Sequence, residues 1–146
     1  MITQVMVQPF SWVESGITLR KVRDVYLFKF TDALQALAEA HTLVEQQEAR
    51  SWETEICRLR GVLLLRQPVP QQAEAEAWLR QALDVARRQQ AKSLELRAAM
   101  SLARLWQQQG KRAAAHDLLV PIYGWYTEGF DTADLQEAKA LLEALA

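Results

Sequence analysis

Few residues in this chain are of types and at spacings that could do chemistry, so we begin with those. "GKR" at 110–112 has the look of a phosphate-binding loop. Such a loop needs a glycine five residues before its Gly-Lys and a Ser or Thr after the lysine, so that backbone amides cradle phosphate and a hydroxyl holds magnesium. Leu105 and Arg112 stand at those positions, so the segment reads as a helix turn. His41 and His116 are the only histidines, and they lie far apart in sequence. No His, Cys or carboxylate cluster has metal spacing. Cys57 and a histidine could in principle act as nucleophile and base. The thiol, however, falls on the apolar face of a helical pattern, which favours a packed side chain. The Asp and Glu residues are scattered along helical segments and mark out no acid/base pair. The sequence therefore predicts no enzyme, no cofactor and no metal site.

Arginine is the remaining chemistry-bearing type. Arg97 and Arg104 are seven residues apart, hence on one face of a helix. Guanidinium forks bind carboxylates in a bidentate manner. Positions 42 residues earlier continue the pattern, so that Glu55, Arg58, Val62 and Arg66 correspond to Arg97, Met100, Arg104 and Gln108. Arg58, Arg66, Arg97, Met100, Arg104 and Gln108 are the candidate peptide-binding residues, facing an acidic segment or a chain terminus. The competing reading is that these arginines pair with neighbouring Glu or stay hydrated. Surface ion pairs of that kind contribute only ~0–1 kcal/mol.

The elements that must position these residues follow from composition and repeats. The chain has 146 residues, 50% hydrophobic and 24% charged, with 5 Gly and 4 Pro. Ala, Leu, Gln, Glu and Arg dominate, and they lose little side-chain freedom in a helix. Three segments share a small-x-x-x-Leu-x-x-apolar pattern: Ala33/Leu37/Ala40, Ala75/Leu79/Ala82 and Ala115/Leu119/Ile122. Their offsets of 42 and 40 residues, with Gly61 and Ala103 also 42 apart, imply about two and a half copies of a two-helix unit. Small residues let neighbouring helices approach, and a lone hairpin cannot bury its apolar face, so hairpins stack. The fold class predicted is all-α: antiparallel helical hairpins stacked as a short solenoid with a C-terminal capping helix.

Helices are expected near 32–48, 52–66, 71–90, 94–109 and 112–126, with a last one after Gly129. Asp32, Ser51, Ser93 and Asp131 are the expected N-caps. Phe130 and Leu135 are spaced as a hydrophobic staple around Asp131. The prolines of "RQPVPQQ" and Pro121 interrupt or kink their helices. Of the five tryptophans, at 12, 52, 78, 106 and 125, Trp78 and Trp106 read as core, whereas Trp52 and Trp125 are less decided. Residues 1–30 form an N-terminal arm whose pattern fits strand or helix equally, and residues 31–146 form the repeat domain. If the arm is extended, the helix after it lacks a partner, and a second subunit in a homodimer would cover it.

The unit at 96–122 resembles the tetratricopeptide repeat. Ala99, Leu102, Ala103 and Trp106 match its first helix, Gly110 its turn, and Ala115 and Leu119 its second helix. Gly61, Leu64, Ala75, Leu79 and Ala82 match more loosely, with two extra residues in the loop. A closer likeness covers residues 32–146. "RLRGVLLL", "AEAWLRQALDVARRQQAKSLELRAAMSLARLWQQQGKR" and "PIYGWYTEGFDTADLQEAKALLEAL" resemble the C-terminal region of large bacterial predicted ATPases associated with class III adenylyl cyclase domains. The resemblance implies a tetratricopeptide-like arm of a signalling regulator that binds protein and performs no reaction.

Net charge is −1 overall, but it divides as −3 over 1–57, +7 over 58–112 and −5 over 113–146. A basic middle admits a nucleic-acid-binding regulator as the first alternative. Its arginines are spread over several helices, with no helix-turn-helix or zinc signature, which disfavours nucleic acid. A small-ligand sensor or enzyme with a pocket between helices is the second alternative. No segment approaches the ~20 apolar residues of a membrane span, so no membrane partner is expected. A single cysteine and no secretory leader point to the cytoplasm.

Overall fold

A computed structural model describes residues 19–46 and 52–146, with side chains described over 29–42 and 52–146. Among these residues there is no strand, and the chain is all-α. Six helices follow one another among the described residues: α1 (Leu19–Gln46), α2 (Glu53–Arg66), α3 (Gln72–Arg88), α4 (Lys92–Gln108), α5 (Arg112–Tyr123) and α6 (Ala133–Leu145). No helix among the described residues is long and apolar enough to cross a membrane.

Each helix packs against the next, because the short connections leave the chain little choice but to turn back. Two further contacts, α2 with α4 and α4 with α6, skip one helix. Thus α2, α4 and α6 lie side by side, with α3 and α5 packed on them. One core runs through the set. Leu79, Leu96, Leu102, Leu105 and Leu119 supply its bulk, and Ala75, Ala82, Ala99, Ala103, Ala115 and Ala138 bring the helices close enough to exclude water. Gly61 is the tightest point. A Cβ there would lie 2.7 Å from Leu79 Cγ and 3.0 Å from the Ala75 carbonyl, so α2 and α3 meet at a distance only glycine allows.

The helix ends have local causes. Gln67 precedes Pro68, whose ring disfavours the α region for the residue before it, and Gln67 is extended (φ −63°, ψ 154°). After α3, Gln89, Gln90 and Ala91 donate to the carbonyls of Val85, Arg87 and Ala86. After α4, Gln109, Gly110 and Lys111 donate to those of Leu105, Gln107 and Trp106. The two elbows share one hydrogen-bond pattern and one left-handed residue, which is Gln90 (φ 53°) in the first and Gly110 (φ 77°) in the second.

Several expectations are corrected. Asp32 caps nothing, since α1 begins by Leu19 and runs straight through it. The same helix crosses the boundary drawn at residue 30, so residues 19–30 are helical and continue α1 rather than forming a hairpin partner for it. Ser93 is displaced because the returning bond of Ala91 starts α4 at Lys92, with Ala91 as its N-cap and the Glu95 amide on the Ala91 carbonyl. Asp131 yields to Thr132, whose amide is fixed by the Gly129 carbonyl and whose own carbonyl receives Gln136. That shift takes Phe130 and Leu135 out of staple register, and Phe130 packs on Tyr123 instead, with ring centroids 5.9 Å apart. Pro121 sits in the last turn of α5, which ends at Tyr123 rather than 126. Residues 1–18, with Trp12, and Ser51 lie outside the described residues.

Candidate functional site

Helix α4 packs against both α2 and α6, and polar residues of the three helices border an open hollow of about 230 Å³. Its walls are Arg58 from α2, Arg97, Met100, Ser101 and Arg104 from α4, and Asp134 and Glu137 from α6. Four of the six residues expected to bind peptide are therefore together: Arg58, Arg97, Met100 and Arg104. Arg66 and Gln108 are not among the lining residues. Both are exposed, at the last residue of α2 and of α4 respectively.

Every arginine in the hollow meets a carboxylate. Arg58 bonds Glu55 through Nε (3.0 Å) and Nη2 (2.5 Å) and reaches Ser101 Oγ at 3.4 Å. Ser101 in turn donates to the Arg97 carbonyl, 3.1 Å away. Arg97 Nε donates to Asp134 Oδ2 at 2.8 Å, and Arg104 Nη2 to Glu137 Oε2 at 2.9 Å. The Asp134 hydrogen bond, with its charge, raises the Arg97 guanidinium above its ordinary value, so it stays protonated throughout. Met100 lies almost fully buried in the floor. The hollow is thus not a basic surface: Arg58, Arg97 and Arg104 face Glu55, Asp134 and Glu137. The +7 of the middle segment is offset here by carboxylates of α6, outside that segment. These pairs are partly exposed, so each contributes little to stability, on the order of 0–1 kcal/mol.

Asp134, Glu137 and Ser101 escaped sequence reasoning. The signal was present, because 134 and 137 are three apart at the start of α6 and so share a face. These two residues turn toward α4, where they meet Arg97 and Arg104.

The other polar groups hold the fold. Glu76 accepts from Arg80 at 2.7 Å and from Trp106 Nε1 at 3.0 Å, and Lys111 lies 3.9 Å away. The Arg80 hydrogen bond leads in holding its carboxyl below the usual value, with Trp106 and Lys111 adding to it against the cost of burial. Burial pushes the carboxyl of Glu95 up, but hydrogen bonds from Lys92 (2.9 Å) and Arg87 (3.1 Å) outweigh it, and its value is lowered. Trp78 packs against the core beneath the Arg60 guanidinium, 4.1 Å from its ring centroid, with His41 at its edge. Trp106 is likewise packed against the core, whereas Trp52 and Trp125 are exposed. Cys57 is fully buried, and His116 stands beside Asp117 on α5. Among the described residues no three His, Cys, Asp or Glu side chains gather as a metal site.

The remaining arginines of the basic middle do not form one stripe. Arg80, Arg87 and Arg88 border a depression along the outer side of α3, away from the arginines of the hollow. Compared with known protein families, with curated proteins and with solved structures, the chain matches none. What distinguishes this all-helical protein is the set of charge pairs that α4 makes with α6, beside the Arg58–Glu55 pair of α2.

Proposed function

We propose that the chain is a non-catalytic interaction module that holds a segment of a partner polypeptide in the hollow of α2, α4 and α6. The α2–α3 and α4–α5 hairpins act as a short tetratricopeptide-like solenoid, and α6 closes its end. The observation that carries this reading is the meeting of Arg58 with Arg97, Met100 and Arg104 around one cleft. Arg58 and Met100 stand 42 residues apart at matching positions of the two hairpins. The contacts of α4 with both α2 and α6 support the stacked arrangement. A signalling role is the part of this proposal that rests on the sequence resemblance of residues 32–146 alone. Guanidinium forks beside carboxylates suit a polypeptide, whose main chain offers carbonyls to donors and amides to acceptors.

Selection of a displayed peptide library on the purified chain tests this. Enriched segments are expected to bind the R97A/R104A variant at least about tenfold more weakly, a loss of roughly 1.4 kcal/mol. Helical content by circular dichroism should be unchanged. A selection that enriches no segment, or segments that ignore the arginine pair, would reject the reading.

A further inference from the structure

Arg97 and Arg104 point in the sequence to an acidic ligand, but in the fold their carboxylates come from the same chain. Asp134 holds Arg97 at 2.8 Å and Glu137 holds Arg104 at 2.9 Å, both across the α4–α6 contact. Glu55 holds Arg58 from within α2. Three cations thus stand against three anions around a hollow whose floor is Met100. An incoming carboxylate would find each guanidinium already partnered and would be repelled by Asp134 and Glu137. A guanidinium has five N–H donors and a carboxylate about four acceptor sites. Arg97 and Arg104 each give one nitrogen to their α6 partner. The rim therefore keeps both donors and acceptors to spare, and an extended main chain, with its N–H and C=O groups, can engage both.

Building on the assignment of the hollow as the partner site, we propose that Asp134 and Glu137 set its charge selectivity. Together with Glu55 on Arg58, they turn a three-arginine anion site into a neutral one, so its occupant is an extended polypeptide segment of no net charge, held through its main-chain amides. Both are specificity-determining residues, and neither lies on the repeat positions that carry the arginines.

The test compares fluorescent hexaglutamate on the wild type and on D134N/E137Q at low salt. The wild type is expected to bind it weakly. The double variant is expected to bind at least about tenfold more tightly, with the gain lost as salt screens the charges and lost again when R97A/R104A is added. Should the double variant fold poorly, E137Q alone carries the test, because the Glu137 side chain is 59% exposed and its removal leaves the core untouched. Equal binding of hexaglutamate by wild type and variant would overturn the proposal. So would a gain that survives loss of both arginines, or the enrichment of Asp- and Glu-rich segments from the peptide library on the wild type. The hexaglutamate comparison needs no partner, so it can fail while the partner reading stands.

Discussion

The α2–α3 hairpin and the α4–α5 hairpin occupy matching places in the fold but are closed by different means. In the first, the helices touch at Gly61, where any Cβ would strike Leu79, and the connection is the Pro68–Pro70 loop with Val69 exposed between the prolines. In the second, Ala103 stands at the matching position, fully buried, and three residues around Gly110 make the turn. One hairpin gains closeness by removing a side chain and has a long, stiff loop. The other keeps a methyl group and has a tight elbow. The same architecture thus tolerates either solution, provided that small residues stay at the crossing: the α2–α3 loop turns without a left-handed residue, whereas the α4–α5 elbow uses Gly110.

The sharpest way to break this comparison is Gly61→Ala. The added methyl overpacks α2 against Leu79, and a loss of about 1–3 kcal/mol is expected in chemical denaturation. Leu79→Ala alone should cost about 2–5 kcal/mol. The pair together should cost less than the sum, because the shorter side chain makes room for the methyl. Strict additivity would mean that the close approach is not what fixes Gly61.

A smaller effect concerns the tie between the hairpins. Glu76 of α3 accepts from Trp106 of α4 and lies near Lys111 of the second elbow. Its carboxyl titrates below the ordinary value of about 4.5, so the folded state binds the proton less readily than the unfolded chain. The stabilisation is fully present above pH ~4.5 and is lost as pH falls through the lowered folded value. Glu76→Gln should cost about 1 kcal/mol at neutral pH. The gap in thermal midpoint between variant and wild type should close as the solution is acidified through the lowered folded value of Glu76. A gap that stays constant across that range would separate Glu76 from any charge effect.

The smallest effect compares the two elbows directly. Gln90 takes a left-handed conformation that costs a non-glycine residue roughly 1 kcal/mol, whereas Gly110 takes it freely. Gln90→Gly is therefore expected to stabilise the chain by about 0.5–1 kcal/mol, read as a higher thermal midpoint. A lower midpoint would show that Gln90 makes a contribution its backbone does not reveal.

These elbows also show how far the sequence could be read. Gly110 announced its turn because glycine is the usual left-handed residue, and α4 and α5 were placed within two or three residues at each end. Gln90 gave no such sign. Its turn is imposed by the bonds from Gln89, Gln90 and Ala91 back to α3, and with it α4 starts at Lys92 rather than 94, its N-cap at Ala91 rather than Ser93. Caps were misplaced for the same reason. A Ser or Asp near a boundary is a local preference of about 1 kcal/mol, and the returning chain outweighs it.

What the sequence by itself determined was the helical class, the pairing of helices and the residues of the crossings. Ala75, Leu79, Ala115 and Leu119 carry that information in their spacing, because side chains four apart on a helix share one face. It also placed Arg58, Arg97, Met100 and Arg104 on a common side. Only the tertiary structure decided what those arginines meet. Asp134 and Glu137 lie 37 and 33 residues from Arg97 and Arg104. Whether they face solvent or close the hollow depends on how α6 is turned against α4, which is set by the packing of Leu135, Ala138, Leu141 and Leu145. Periodicity specifies which residues share a face, but the partner of a face is chosen by the fit of whole helices.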